Sequence, residues 1–301
     1  MARRTHAYAD DSRGPRLQRV LADAGIASRR ECEDLIRAGV VTVNDEVVDS
    51  LPAWVDPARD RILVDGRPVR RKLEKFVYVM LHKPRGVVST NRDPQGRPRA
   101  IDLVDHPSGA RLFPVGRLDL DSSGLLLLTN DGELANRLTH PRYEVHKGYE
   151  VMVAGRLEEE DAKRLEAGIF LPERDPERSR RTARSHLVVL RRERDRTLLY
   201  MELREGRNRQ IRRLMLRLGY PVKKLRRVQM GPLKLKGLGV GGWRELTAPE
   251  LVLLRRAAHE QDAADPAGPR GSTTRQRRAG TTGNRVTGKR PAKRKPKPSS
   301  T

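Results

Sequence analysis

Strand and helix patterns alternate irregularly over residues 16–258, and this feature most constrains the fold. A regular β-α-β winding would need strands and helices in strict alternation. Here, short apolar runs typical of strands stand at uneven intervals from segments with helical spacing. The strand-like runs are 77–81, 125–129, 149–153 and 197–203. The pattern therefore predicts an α+β fold built on a mixed sheet.

The sequence pattern of residues 16–76 predicts a small α/β module. A helix from Leu17 to Ala24 precedes a second helix, whose start is marked by the capping-box pair Ser28 and Glu31. Turn signals at 44–45 and 65–66 then predict two β-hairpins.

The second helix of this module has an apolar face and a basic face. Cys32, Leu35 and Ile36 are predicted to point inward. The outward residues are Arg29, Arg30 and Arg37. Such a face is either a phosphate-binding surface or a solvated surface that keeps the chain soluble.

The net charge points to a polyanionic partner. The chain has 63 Lys and Arg against 39 Asp and Glu, a net charge of +24. This surplus favours nucleic acid. The single Cys32 excludes a disulfide framework and a multi-cysteine zinc site. No apolar run approaches the roughly 18 residues of a membrane span, and no secretory signal is visible, so a cytoplasmic protein without membrane association is expected.

The charge is concentrated toward the carboxyl end. Residues 265–301 contain eleven Lys and Arg but one acid, Asp265, with almost no apolar side chain. Such a segment cannot bury enough apolar surface to offset its ordering entropy. The predicted organisation is disorder at 1–14, the small α/β module at 15–76, a second domain at 77–258 and a disordered basic tail at 259–301.

Two carboxylates precede the strand-like run 125–129. Asp119 and Asp121 lie between Gly116 and Gly124. If this segment is extended, both carboxylates share one face and Leu118 and Leu120 take the other. A catalytic acid is one interpretation, a solvated turn with a capping or ion-paired Asp is another, and a divalent-metal site is a third, although no third carboxylate lies near in sequence.

Arginines crowd the predicted start of the helix at 208–218. They are Arg207, Arg209, Arg212 and Arg213. The amino end of a helix is already positive, so cations there are unfavourable without an anion. That anion is either an RNA phosphate or a carboxylate such as Asp119, unless the face is simply solvated. A further candidate is Tyr149, close to Lys147 at a strand start, which either stacks on a base or belongs to the core.

Together these segments resemble the RsuA/RluB branch of RNA pseudouridine synthases, in its RluB-like form. The most specific block is 113–132, Phe-Pro-Val-Gly-Arg-Leu-Asp-Leu-Asp-Ser-Ser-Gly-Leu-Leu-Leu-Leu-Thr-Asn-Asp-Gly. Four more blocks agree in order: 83–86, 147–149, 205–213 and 241–246. The N-terminal module resembles the S4-type RNA-binding domain, named for a ribosomal small-subunit protein. His82 departs from the family, which commonly has Asn at this position.

The resemblance implies a role for each matching residue. Asp119 matches the catalytic Asp, Tyr149 the tyrosine that stacks on the target base, and Arg212 the basic residue that pairs with the carboxylate. Asp121 matches no catalytic role. The expected RNA-binding residues are Arg29, Arg30, Arg37, Lys83, Arg117, Lys147, Arg207, Asn208, Arg209 and Gln210.

The implied reaction is isomerisation of uridine in ribosomal RNA, with the large-subunit RNA favoured over the small. It involves no net redox change or group transfer, so no cofactor or metal is expected. The expected partner is ribosomal RNA or an assembly particle, and the protein is expected to be a monomer. The alternative is a non-catalytic RNA-binding factor in ribosome assembly. An intact set of Asp119, Tyr149 and Arg212 argues against it, because binding alone does not require that set.

Overall fold

The computed structural model describes residues 7–69, 75–172 and 179–259. The predicted basic tail lies outside these ranges. The N-terminal module begins with the two predicted helices, α1 (Leu17–Asp23) and α2 (Arg29–Arg37). The Ser28 hydroxyl accepts a bond from the Glu31 N–H, and the Glu31 carboxylate accepts one from the Ser28 N–H. The capping box is therefore confirmed.

A four-stranded antiparallel sheet completes the module. Its strands are β1 (Val41–Val43), β2 (Glu46–Val47), β3 (Ile62–Val64) and β4 (Arg67–Pro68), in the order β2-β1-β3-β4. Asn44 and Asp45 both have positive φ, as a tight hairpin turn requires. Both predicted hairpins are confirmed.

Residues 7–14 differ from the predicted disorder. Tyr8 is buried, and its hydroxyl donates to the Val43 carbonyl at 2.8 Å. A short 3₁₀ turn follows at Asp11–Arg13. Burial of the Tyr8 ring in the core of the module offsets the entropy of ordering this segment.

A nine-stranded mixed sheet forms the second domain. Its strands are β5 (Tyr78–Lys83), β6 (Phe113–Val115), β7 (Ser123–Thr129), β8 (Lys147–Ala154), β11 (His186–Arg192), β12 (Arg196–Leu203), β13 (Val222–Met230), β14 (Leu233–Lys234) and β15 (Trp243–Glu245). The order is β11-β12-β8-β13-β7-β5-β15, with β6 beside β7 and β14 beside β13. The pair β13–β7 is parallel and the others are antiparallel, which confirms the mixed α+β fold.

Four helices pack around this sheet: α3 (Gly132–Thr139), α4 (Glu159–Ala167), α5 (Gln210–Arg217) and α6 (Ala248–His259). A small separate ladder pairs β9 (Phe170–Leu171) with β10 (Arg180–Arg181). Strand β7 is buried on both faces, because Leu125 and Leu127 enter one apolar cluster and Leu126 and Leu128 another. A strand held on both sides gives a rigid support for the loop that precedes it.

Candidate active site

The segment 116–122, here called the aspartate loop, joins β6 to β7 and carries both carboxylates. Ser89 anchors it, because its Oγ donates to the Leu118 carbonyl at 3.1 Å and accepts from the Leu118 N–H at 3.2 Å. The loop turns where the Ser122 N–H donates to the Asp119 carbonyl at 3.1 Å. The segment is therefore not extended, so the condition under which the carboxylates would share one strand face is not met, and Leu120 is exposed. The two carboxylates nevertheless converge on the same arginines.

Two arginines at the start of α5 face the carboxylates. Arg209 Nη1 lies 3.2 Å from Asp119 Oδ2, and Arg209 Nη2 lies 3.2 Å from Asp121 Oδ2. Arg212 Nη2 lies 3.2 Å from Asp121 Oδ1. Protein carboxylates are thus the anions at this helix terminus, one of the alternatives that the sequence left open.

Arg212 contacts Asp119 less closely than expected. Its Nε lies 3.9 Å from Asp119 Oδ2, beyond hydrogen-bonding distance. Its Nη2 donates to the Asp121 carbonyl at 3.0 Å and to the Ser122 Oγ at 3.1 Å. Arg212 therefore holds the backbone of the aspartate loop and contributes positive charge near Asp119.

Burial distinguishes the two arginines. The side chain of Arg212 is 13% exposed and that of Arg209 is 44% exposed. Burial lowers the pKa of Arg212, although Asp121 and Asp119 oppose the shift. Partial burial also acts to raise the pKa of Asp121, but hydrogen bonds from Arg209 and the charge of Arg212 hold this pKa below its usual value. The two arginines therefore favour the ionised form of Asp121.

Tyr149 lies half-buried in β8. Its neighbours in register are Met201 of β12 and Arg227 of β13. The ring packs against the apolar cluster that includes Leu118, the residue before Asp119. In register, Tyr149 of β8, Arg227 of β13 and Gly124 of β7 lie side by side, so the tyrosine is two strands away from the end of the aspartate loop.

Lys83 was predicted to contact RNA, and the structure contradicts this prediction. Its side chain is fully buried, and Nζ donates to the Pro84 and Val87 carbonyls at 2.7 Å each. Burial lowers the pKa of Lys83 to about 8, against the opposing charges of Asp119 and Asp121. The ammonium group is enclosed by the protein and is not available to an RNA phosphate in this structure.

Arg227, which was not identified from the sequence, is a buried cation whose positive charge acts on Lys83. Arg227 is 2% exposed, its Nε donates to the Leu125 carbonyl at 2.8 Å, and its Nη2 has no partner among the described residues. In register, Gly124 of β7 separates Lys83 of β5 from Arg227 of β13. Gly124 has φ +114°, and a Cβ there would overlap the Arg227 carbonyl oxygen. The glycine thus lets β13 approach β7 closely.

Three other predicted RNA contacts are occupied by the protein itself. Arg207 Nε pairs with Glu205 at 3.0 Å, while its Nη atoms donate to two backbone carbonyls. Gln210 is buried and donates to Glu205 at 2.6 Å. Lys147 Nζ donates to the Val145 carbonyl at 2.7 Å, and burial lowers the pKa of Lys147 to about 8. Arg207 and Gln210 therefore stabilise the turn before α5, because they supply hydrogen-bond partners to the buried polar groups of that turn.

The remaining predicted contacts are exposed: Arg29, Arg30, Arg37, Arg117, Asn208 and Arg209. Arg37 also pairs with Glu33 and Asp34 on its own helix. Within the described residues, no group of three His, Cys, Asp or Glu side chains could hold a metal ion. In the same part of the chain, no helix is long and apolar enough to cross a membrane.

An aspartate stands on the loop before the buried strand β7, with two arginines beside it and a tyrosine on β8 of the same sheet. These are the residue types of a base-modifying site of the pseudouridine synthase class. The family model for RNA pseudouridylate synthase matches residues 77–217, and that for the S4 domain matches residues 15–51.

Comparison with individual proteins agrees. The chain is 44% identical over 243 residues to ribosomal large subunit pseudouridine synthase B of Bacillus subtilis (strain 168), covering 81% of this chain and 96% of that one. It is 38% identical to the protein of that description from Pseudomonas aeruginosa, covering 88% of this chain and 67% of that one. A crystal structure of a pseudouridylate synthase superimposes with a TM-score of 0.57 at 29% identity, over 80% of this chain and all of that one. The chain belongs to the RNA pseudouridine synthase family and is an isomerase. The resemblance drawn from the sequence is confirmed.

Proposed function

We propose that this enzyme converts uridine to pseudouridine in large-subunit ribosomal RNA, with Asp119 as the catalytic group. The observation that carries the proposal is the Asp119 carboxylate, set on the anchored aspartate loop 3.2 Å from Arg209. The relatives named for large-subunit ribosomal RNA support the substrate. The S4 match at residues 15–51 supports RNA docking through the N-terminal module.

The chemistry needs an ionised aspartate. The bond from N1 of uracil to C1′ breaks, the base turns, and C5 bonds to C1′, while C5 loses a proton and N1 gains one. Asp119 either adds to C1′ as a nucleophile or removes the C2′ proton as a base. Both routes use the carboxylate form. Arg209 and Arg212 place positive charge at 3.2 Å and 3.9 Å from Asp119 Oδ2.

We assign the two arginines different tasks. Arg212 is buried and bonded to the loop backbone, so it stays beside Asp119 throughout the reaction. Arg209 is exposed and lies 3.2 Å from Asp119 Oδ2. When the uridine enters, Arg209 leaves Asp119 and binds an RNA phosphate, which suits an arginine fork.

Tyr149 holds the target base by stacking. The uridine must leave its own stack before the enzyme reaches C1′, and an aromatic face replaces part of the lost stacking. Arg29 and Arg30 on α2 contribute phosphate contacts, which position the RNA without reading its sequence. Arg117, exposed beside the catalytic residue, has the same role.

Mapping of pseudouridines in ribosomal RNA with and without the gene tests this function. We expect one or a few large-subunit sites to lose the modification, and an Asp119→Asn copy to leave them unmodified. A loss confined to small-subunit RNA would overturn the proposed substrate. An unchanged map would favour the alternative of a non-catalytic assembly factor.

A further inference from the structure

A cleft of about 430 Å³ lies between the N-terminal module and the catalytic domain. One wall comes from the end of α1 and the start of α2, and the other from β6 and α3. Its volume lies within the range of sites that enclose a small organic ligand. The cleft is separate from the Asp119 cluster.

The charge on the cleft walls suits an anion. Arg29 lines the module side and Arg111 lines the catalytic side. One carboxylate in the lining, Asp23, pairs with Arg19 at 3.5 Å. Arg111 Nη2 lies 3.4 Å from Glu31 of α2, an exposed ion pair that joins the two domains. Such a pair contributes little energy, so a phosphate can replace the carboxylate at low cost.

The interior of the cleft suits a nucleobase. Phe113, Pro114 and Val115 of β6 provide an apolar wall. Asn136 of α3 is exposed in the lining, and its side-chain amide makes no hydrogen bond within the described residues. An apolar wall with one free amide offers a surface for a base face and a partner for a base edge.

The cleft and the Asp119 cluster are separate, but residues close in sequence line both of them. Its lining runs from Phe113 to Gly116, and Asp119 follows three residues later. Three residues span at most about 11 Å. A nucleotide bound beside Gly116 would therefore lie close enough to a uridine at Asp119 to come from the same stretch of RNA.

We propose that this cleft binds one unpaired nucleotide of the RNA substrate, close in sequence to the target uridine, with its base against β6 and its phosphate between Arg29 and Arg111. The proposal rests on the proposed function, because it takes the RNA to be the substrate. On this proposal, the cleft between the two domains contributes to specificity. The enzyme would recognise the target uridine together with a second base that is unpaired and turned out of the RNA stack.

Blocking the cleft tests the proposal. Asn136→Trp places a large ring in the cleft, and Val252→Trp on α6 is the matched control, since it adds a similar bulk at an exposed, neutral position. Each protein is assayed by tritium release from a ribosomal RNA fragment labelled at uracil C5. We expect Asn136→Trp to raise KM about tenfold or more, as loss of one stacked base predicts, with kcat within about twofold. Val252→Trp should match the wild type.

Abasic substitution identifies the nucleotide. Removing the base at each position flanking the target should raise KM of the wild type at one position outside the active site. The same abasic substitution should not raise the KM of Asn136→Trp any further, because both changes remove the same contact between the base and the cleft. Should Asn136→Trp fold incorrectly, Asn136→Ala replaces it in the same comparison of protein variant and abasic RNA, with a smaller expected rise in KM. A normal KM for the folded cleft variants, or equal abasic penalties in variant and wild type, would overturn the proposal. Absence of tritium release by the wild type would instead overturn the proposed function.

Discussion

Arg209 donates from Nη1 to Oδ2 of Asp119 at 3.2 Å. The carboxylate that we propose as catalytic is therefore covered by a side chain that is 44% exposed. Its pairing resembles a surface ion pair, which is worth at most about 1 kcal/mol. Displacing Arg209 from the Asp119 carboxylate therefore costs little free energy.

We predict that Arg212→Ala harms the chemical step more than Arg209→Ala does, although Arg209 lies closer to Asp119. Arg212→Ala removes the hydrogen bonds that hold the aspartate loop. Misplacement of a reacting group by about 1 Å costs about 100-fold, so we expect kcat to fall by about that factor. Arg209→Ala should raise KM and change kcat less than about fivefold. Steady-state tritium release separates the two parameters. A larger loss of kcat in Arg209→Ala would contradict the assigned tasks.

Asp121→Asn should retain substantial activity. The amide oxygen of Asn still accepts hydrogen bonds from Arg209 and Arg212, and the family pattern gives this position no chemical role. The metal interpretation of the two carboxylates predicts another result, in which both Asp119→Asn and Asp121→Asn are inactive and EDTA inhibits the wild type. Tritium release by the three proteins with and without EDTA distinguishes the two accounts.

The buried Lys83 should make stability depend on pH in alkaline solution. Its folded pKa of about 8 lies below the roughly 10.4 of an unfolded lysine. Between these values the unfolded chain binds more protons, so stability of the wild type should rise with pH relative to Lys83→Met. The gain should reach up to about 3 kcal/mol, spread over pH 8 to 10.

Urea unfolding at several pH values measures this difference. Lys75→Met, at an exposed position, controls for the loss of one lysine. The prediction for Lys83 is wrong if the wild type and Lys83→Met keep a constant stability difference between pH 7 and pH 10.

Removal of residues 265–301 should weaken binding to any structured RNA and flatten its salt dependence, while the same uridine is modified. Eleven Lys and Arg against one acid displace counterions from phosphates but read no bases. Binding titrations from low to high salt measure the slope for both forms. A truncated protein with an unchanged slope, or with a different target uridine, would contradict this role.

Local signals in the sequence predicted much of the fold. The capping box of α2, the hairpin turn at Asn44 and the amphipathic pattern of α5 each depend on neighbouring residues, and each is confirmed. Strand β13 was not assigned, because the buried Arg227 interrupts its apolar alternation. Its partners β7 and β8 are distant in sequence, and register with them is invisible to a local pattern.

The site was predictable in composition but not in its contacts. Sequence blocks identified Asp119, Tyr149 and Arg212, whose roles stay predictions. They could not show that Arg209 is nearer to Asp119, since this depends on how the aspartate loop turns toward α5. Nor could they show that Lys83 points inward, because a lysine in a strand is usually exposed.

The most direct test of the account is tritium release by Asp119→Asn from ribosomal RNA labelled at uracil C5. Asparagine preserves size and shape but acts neither as the nucleophile nor as the base. We expect the variant to bind the RNA about as well as the wild type and to release no detectable tritium. Release at the wild-type rate would contradict the assignment of Asp119 as the catalytic residue.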